Sequence, residues 1–259
     1  MTETLDLARQ LSDADRSGVR LASGTLFQPR SAIEAVTVQN ETLALNGWLP
    51  AGYKIAIRPD GTSVSAPMAH ITVSDGGGTA QFERPAIDAL EVEICFSLAD
   101  DLPPAGDQPY TRETLKPYIG DIHSGVEFLG HRLDNGNTSP ALLFLADRLG
   151  NTGYVVGETL GREVLEPGLS LPLTVTLNGD VVFEGPGKHP NNDPLAPFVA
   201  FANALTAVVP KGCIITTGSL CGAIPMAPGH SKIAVTGFTT LTLSTASVAG
   251  IAFTALHKT

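Results

Sequence analysis

A nine-residue run, Leu90-Glu91-Val92-Glu93-Ile94-Cys95-Phe96-Ser97-Leu98, alternates apolar and polar side chains without a break. Successive side chains of a strand point to opposite faces, so this run demands an extended segment with Leu90, Val92, Ile94, Phe96 and Leu98 on a core face. The other face then carries Glu91, Glu93, Cys95 and Ser97. The two carboxylates leave the backbone on one side, roughly 6.6 Å apart. Like charges so close need water or a cation between them. Two readings fit: a wet outer face, or part of a site for a hard divalent cation, which takes oxygen ligands.

The surrounding sequence is built to turn. Its 259 residues include 27 Gly and 19 Pro, which predicts a strand-rich body with many connections. With 43% hydrophobic and 16% charged residues, the chain is long and apolar enough for one large globular domain. A net charge of -10 argues against nucleic acid or an anionic membrane surface as partner. It leaves room for a small anionic substrate, because a bound cation reverses the field locally. Cys95, Cys213 and Cys221 are odd in number and lack metal-finger spacing, which predicts free thiols in a reducing cytosol. Residues 1–10 carry acids and no apolar run, unlike a signal peptide, and the apolar stretch 244–256 is too short and too rich in Ser and Thr to span a membrane. The expectation is a cytoplasmic protein.

Periodicity divides the chain into a helical amino-terminal region, residues 1–50, and a strand-rich body, residues 51–259. Leu7, Leu11 and Ala14 have helical spacing, with Gly18 as a stop. Ser31 and Glu34 have capping-box spacing at the head of a second helix, from Ala32 to about Leu45, ended by Gly47. Strands are expected at 53–57, 126–129 and 141–145, and a hairpin at 174–177 and 181–183 around Asn178-Gly179-Asp180. A short helix capped by Thr111 is expected up to Ile119, and a longer one from Asp193 to Leu205. Four strand-like runs follow, at 213–217, 233–235, 239–243 and 251–255. The Asp75-Gly76-Gly77-Gly78 stretch reads as a flexible turn, and Trp48 as packing where the helices meet the body.

Several short strings then fit one pattern in order. Gly52-Tyr53-Lys54-Ile55, Arg84-Pro85 followed by Glu91-Val92-Glu93-Ile94-Cys95-Phe96, Asp100-Asp101-Leu102, Glu127, Asn178-Gly179, Gly185-Pro186-Gly187, Asp193-Pro194-Leu195, Thr217-Gly218-Ser219-Leu220 and Pro228-Gly229 occur in this sequence. Gln39 matches in the second helix. Their order over roughly residues 5 to 245 resembles the fumarylacetoacetate hydrolase superfamily, in the branch of 2-keto-4-pentenoate hydratase and 4-oxalocrotonate decarboxylase. The resemblance implies an α+β fold: a mixed β-roll behind a small helical amino-terminal region. It also implies homo-oligomers, and association with a partner enzyme of the same pathway is known in this branch. There are departures. Ala56 stands where the pattern has glycine, and Asp147-Arg148 where it has Asp-Asn. Pro228-Gly229-His230 replaces Pro-Gly-Asp, and Pro67-Met68-Ala69-His70 occupies the stretch where members keep an acidic residue and glycine.

By this resemblance Glu91, Glu93 and Glu127 form a three-carboxylate site for Mg2+ or Mn2+, which turns the reading of the glutamate strand toward metal ligation. A 2-oxo acid would chelate such a cation, which polarises the ketone and stabilises an enolate. Lys54, in an apolar strand, either moves a proton or binds the substrate carboxylate, or it pairs with a nearby acid. Among the candidate acids and bases His70, His123, His131 and His189, His70 falls where the family keeps its acid. Asp147 and Arg148 are candidates for recognising an anionic substrate end, or a surface ion pair. Thr217 and Ser219, with Gly218 between them, offer N–H and hydroxyl groups to a substrate carboxylate, or form a simple turn. The expected activity is a metal-dependent lyase on a short 2-oxo or 2-hydroxydienoic acid, with hydration ahead of 4-oxalocrotonate-like decarboxylation. Acylpyruvate C–C hydrolysis and a non-catalytic partner subunit are the remaining alternatives.

Overall fold

In the computed structural model, which describes residues 2–75 and 78–247, thirteen strands form two mixed sheets and five short to medium helices flank them. The strands are β1 Gly52–Ile57, β2 Ser63–Met68, β3 Ile71–Val73, β4 Thr79–Arg84, β5 Ala89–Leu98, β6 Ile119–Leu129, β7 Asn151–Leu160, β8 Ser170–Leu177, β9 Asp180–Lys188, β10 Ile214–Ser219, β11 Ile224–Pro225, β12 His230–Gly237 and β13 Leu241–Ser247. The first sheet runs β2-β1-β10-β5-β6-β7-β3, with β11 also pairing β5. The second runs β4-β13-β12-β8-β9. The first sheet curls until β2 touches β7. The expected run 251–255 and part of the 244–256 stretch lie outside the described residues, as do Gly76 and Gly77 of the glycine turn.

The main core lies between the two sheets. Leu90, Val92, Ile94 and Phe96 of β5 meet Leu173, Val175, Ile233, Val235, Leu241 and Leu243 of the second sheet. The opposite face of β5 is not wet: Glu93 is 1% exposed and Cys95 fully buried. It lines the inside of the curl, where Cys95 packs with Met68, Tyr154 and Val156. The solvated-face reading of the glutamate strand is therefore excluded for Glu93.

Helix α1 Thr2–Ser17 ends just before the expected stop at Gly18, and α2 Ala32–Asn46 starts at the expected Ala32 and ends at Gly47. The Ser31 hydroxyl accepts from the Glu34 N–H, and Gly47 closes α2 in the left-handed region with its N–H returning to Ala44 O. Leu7, Leu11, Ala35 and Val38 join Leu133, Leu143 and Leu145 in a second apolar cluster. The 141–145 run is a helix, α4 Ala141–Ala146, where a strand was expected. A short, wholly apolar run has no period to separate the two forms. Here Pro140 accepts from the Phe144 N–H and starts a helical turn. The Thr111-capped helix α3 spans Arg112–Leu115, and its 3-10 continuation stops at Tyr118, before β6 begins at Ile119. The last helix, α5, spans Ala196–Ala204; Asp193 accepts from the Leu195 N–H just ahead of it. At the β8–β9 hairpin Asn178 and Gly179 both take positive φ, 53° and 96°, the conformation a two-residue Asn-Gly turn needs. Among the described residues no helix is long and apolar enough to cross a membrane.

Candidate metal centre inside the curled sheet

The site is a row across adjacent strands. In the antiparallel β5–β6 pair Glu91 stands directly opposite Glu127, and Glu93 opposite Gly125. Across β6–β7 Glu127 stands opposite Tyr154. On the other flank Thr216 of β10 pairs with Cys95, and Lys54 reaches in from β1. Glu91, Glu93 and Glu127 each present an oxygen such that all three lie within 4.8 Å of one another. Lys54 Nζ lies 2.9 Å from Glu127 Oε1 and 3.3 Å from Glu91 Oε2. Asn151 Nδ2 donates to Glu127 Oε1 at 3.0 Å.

The charges are unequal. Among the described residues three carboxylates face one ammonium, and one oxygen each of Glu93 and Glu127 is buried without a hydrogen-bond partner. Burial, then repulsion from Glu127 and Glu91, pushes the Glu93 carboxyl well above its ordinary range. Burial raises Glu127 too, and Lys54 and Asn151 offset this only in part. For Lys54 burial acts downward, but Glu127, Glu91 and Glu93 outweigh it and keep the ammonium protonated well above the usual lysine range. Buried acceptors without donors, on hard oxygen ligands, fit a divalent cation such as Mg2+ or Mn2+.

Sequence reasoning missed four neighbours. The Tyr154 hydroxyl is buried beside Cys95 and, among the described residues, meets no geometric hydrogen-bond partner; burial together with Cys95 and Glu93 raises its pKa far above the ordinary phenol. It lies over Gly125, where an added Cβ would run into the hydroxyl and ring, so only glycine fits opposite Glu93. Asn151 and Thr216 complete the polar lining. Their only sequence signal is position: each sits on a strand whose pairing with β5 or β6 cannot be read from local pattern.

Other expected residues lie elsewhere. Asp147 is buried and accepts from Arg132, at 2.5 Å from Nε and 3.2 Å from the backbone N–H. Arg148 Nη2 donates to Asp15 Oδ2 at 2.8 Å. With Arg84, which donates to Asp15 Oδ1 at 3.1 Å, they form a buried cluster of three arginines and two aspartates. Asp147 and Arg148 are thus neither a surface pair nor free for substrate. His70 faces this cluster: burial, then Arg84, lowers its pKa to about 3, and it makes no bond to the three glutamates or Lys54. It is therefore not brought to the carboxylates as a catalytic acid.

The Thr217 hydroxyl donates to Ile94 O and that of Ser219 to Gly222 O, so neither presents a free O–H. Ser219 pairs with Glu93 in register after a bulge that begins at Thr216, and Gly218 in it takes φ +126°. His189 holds this bulge. Its Nε2 bonds Thr217 O at 2.7 Å while Nδ1 accepts from the Asn191 N–H. His123 and His131 bond to Gly157 O and Asp88 respectively.

A curled mixed sheet packed on a smaller one, with helices at the amino-terminal side, is the fumarylacetoacetate hydrolase-like α+β fold, also seen in a yeast protein of that family (TM-score 0.53, 13% identity, 79% of this chain and 97% of that chain). Within it the shape is very similar to 4-oxalocrotonate decarboxylase from Pseudomonas putida G7. The complex of that enzyme with magnesium and adipate has TM-score 0.76 at 20% identity, covering 95% of this chain and 97% of that chain. Fumarylpyruvate hydrolase from Pseudomonas aeruginosa, in complex with Mn2+ and pyruvate, has TM-score 0.54 at 11% identity, covering 75% and 88%. No family model matches the chain, and no curated protein matches it in sequence. At these identities the likeness establishes the fold.

Proposed function

We propose that the chain is a divalent-metal-dependent lyase on a short 2-oxo or 2-hydroxydienoic acid, adding water to the dienoic substrate. The carrying observation is the buried triad Glu91, Glu93 and Glu127, whose partnerless oxygens call for a cation. Bound there, Mg2+ or Mn2+ would polarise the 2-oxo group and stabilise the negative charge that develops on it. Lys54 stays protonated, which suits it to hold the substrate carboxylate; a cation on the triad would offset the carboxylates that raise its pKa and so free it to move a proton. The Thr217–Ser219 bulge, held by His189, shapes the wall beside Glu93. Met68, buried against Cys95 and Tyr154, supplies an apolar wall where the resembling family has an acid.

Decarboxylation through the same charge-stabilised state is a second reading. It is favoured by the likeness in shape to 4-oxalocrotonate decarboxylase over nearly the whole chain. Decay of dienoate ultraviolet absorbance with Mg2+ or Mn2+, read against CO2 release, separates the two. No turnover of C5 to C7 substrates with either metal, together with no metal binding by calorimetry, would refute the enzyme reading. We further propose that the protein acts as a homo-oligomer in the cytoplasm.

A further inference from the structure

A cavity of about 590 Å3 lies apart from the carboxylates, between the end of α2 and strands β3 and β4. None of Lys54, Glu91, Glu93, Glu127 or Tyr154 lines it. Its polar wall includes Arg84, His70, Arg16 and the carboxylates of Asp15 and Glu83, Asp15 being held by Arg84, and its apolar wall includes Trp48, Ile71 and Phe82. The Trp48 ring meets His70 edge-on at 4.4 Å, and the guanidiniums of Arg84 and Arg148 sit 5.4 and 5.6 Å from its centre.

Donors are left over here. Arg84, 6% exposed, donates from Nε to Thr152 Oγ1 at 3.4 Å and from Nη2 to Asp15 Oδ1, and among the described residues its Nη1 makes no hydrogen bond. His70 Nε2 is buried and has no hydrogen-bond partner among the described residues. Among the described residues charge is left over as well: the buried Arg84, Arg132 and Arg148 stand against the buried Asp15 and Asp147, one positive charge in excess. A buried excess charge is costly unless a counter-ion meets it. Exposed Glu83 on the same wall opposes a second negative charge on any ligand. The size and mixed lining are those of a small-molecule site, with an apolar body and a few convergent polar groups.

We propose that this cavity binds a small organic monocarboxylate with an apolar body. Arg84 Nη1 and the Nε2–H of His70 receive the carboxylate, and Trp48 and Phe82 pack the body. The site is separate from the carboxylate triad and does not depend on the reaction proposed above.

Trp48 is the single tryptophan of the chain, so its fluorescence reports on this cavity. The experiment titrates the full chain, in chelator, with benzoate, following Trp48 emission and heat by calorimetry. A saturable change with half-saturation on the order of 1 mM is expected. Benzyl alcohol, which lacks the charge, and phthalate, which carries two, bind about tenfold or more weakly. His70→Leu leaves the arginine–aspartate pairs intact and weakens benzoate by about tenfold, and Arg84→Met does so at least as strongly. Glu93→Gln binds benzoate as the parent does. A linear, unsaturable response, equal binding of benzyl alcohol, or unchanged affinity in His70→Leu overturns the proposal. So does loss of binding in Glu93→Gln, which would locate the ligand at the triad instead.

Discussion

In the metal-free protein Glu93→Gln stabilises the fold near neutral pH, and in the metal-loaded protein it does the reverse. The oxygens of Glu91, Glu93 and Glu127 lie within 4.8 Å of one another. At that outer distance and an effective dielectric constant of about 20, each ionised pair repels by about 3.5 kcal/mol. Lys54 answers Glu127 and Glu91 directly, at 2.9 and 3.3 Å, and makes no hydrogen bond to Glu93. Glu93 escapes part of the repulsion by holding a proton, so the relief from a neutral amide is smaller, about 1–3 kcal/mol. In a chain of this size each kcal/mol moves the melting temperature by about 2–4 °C. The variant in chelator should therefore melt about 2 to 12 °C above the parent.

The pH dependence has a definite sign. A carboxyl whose folded pKa is raised binds more protons folded than unfolded, so stability falls as pH rises. Its contribution is complete below the ordinary 4.5 and is lost upward through the raised folded value. Parent and variant should thus converge near about pH 4, with the variant ahead near about pH 8. Adding Mg2+ raises the parent's melting temperature and raises the variant's much less, since a ligand is gone. Thermal melts at both pH values, with chelator and with Mg2+, make the test. A variant less stable than the parent in chelator near pH 8, or a parent indifferent to both Mg2+ and Mn2+, refutes the reasoning.

Lys54→Met strips from the triad its one ammonium among the described residues. It should cost the metal-free protein about 3–5 kcal/mol. Calorimetry should show tighter Mg2+ binding as a competing cation disappears, while turnover falls about 100-fold or more; unchanged Mg2+ affinity contradicts this. Gly125→Ala should cost about 1–3 kcal/mol by urea denaturation, because its Cβ meets the Tyr154 hydroxyl. Tyr154→Phe in the same chain should recover part of that loss, and strict additivity of the two changes would show that they do not touch. Asp15→Asn leaves Arg84, Arg132 and Arg148 short of a counter-charge and should cost about 3–5 kcal/mol near neutral pH. Burial acts upward on Asp15, but the arginines hold its carboxyl well below the ordinary 3.8. The contribution is therefore complete above that value and lost as pH falls below it. The gap between parent and variant must shrink in acid, and a pH-independent gap excludes the ionic account.

How far the sequence carries depends on the range of the interaction. The alternation in β5 reports which side chains share a face, and Glu91 and Glu93 do share one. It is silent on what covers that face, because the cover is Met68 of β2 and Tyr154 of β7, brought in by the curl of the sheet. Glu127 joins them only through the exact register of β5 on β6, which the ordered family strings located and local pattern could not. His70 shows the opposite limit. Strand β2 ends at Met68, so the two-residue period that would put His70 on the same face no longer applies, and the ring turns to Arg84 and Trp48. The arginine cluster joins residues as far apart as Asp15 and Arg148. Its one local sign is Asp15 itself, four residues after Leu11 on the buried stripe of α1, where an acid must find partners.

Asn151 explains why the two polar clusters occur side by side. Its backbone carbonyl accepts from Arg132 Nη1 at 2.9 Å, and its side-chain amide donates to Glu127 Oε1. Buried charge on the triad and buried charge on the arginines thus share one hydrogen-bonded residue. Asn151 spans both clusters because β7 passes between them, with Tyr154 inside the curl and Thr152 bonded to Arg84. A side chain without an amide at position 151 would leave Glu127 with Lys54 as its one donor among the described residues. The triad's geometry is therefore set as much by the arginine side of β7 as by the glutamate strand.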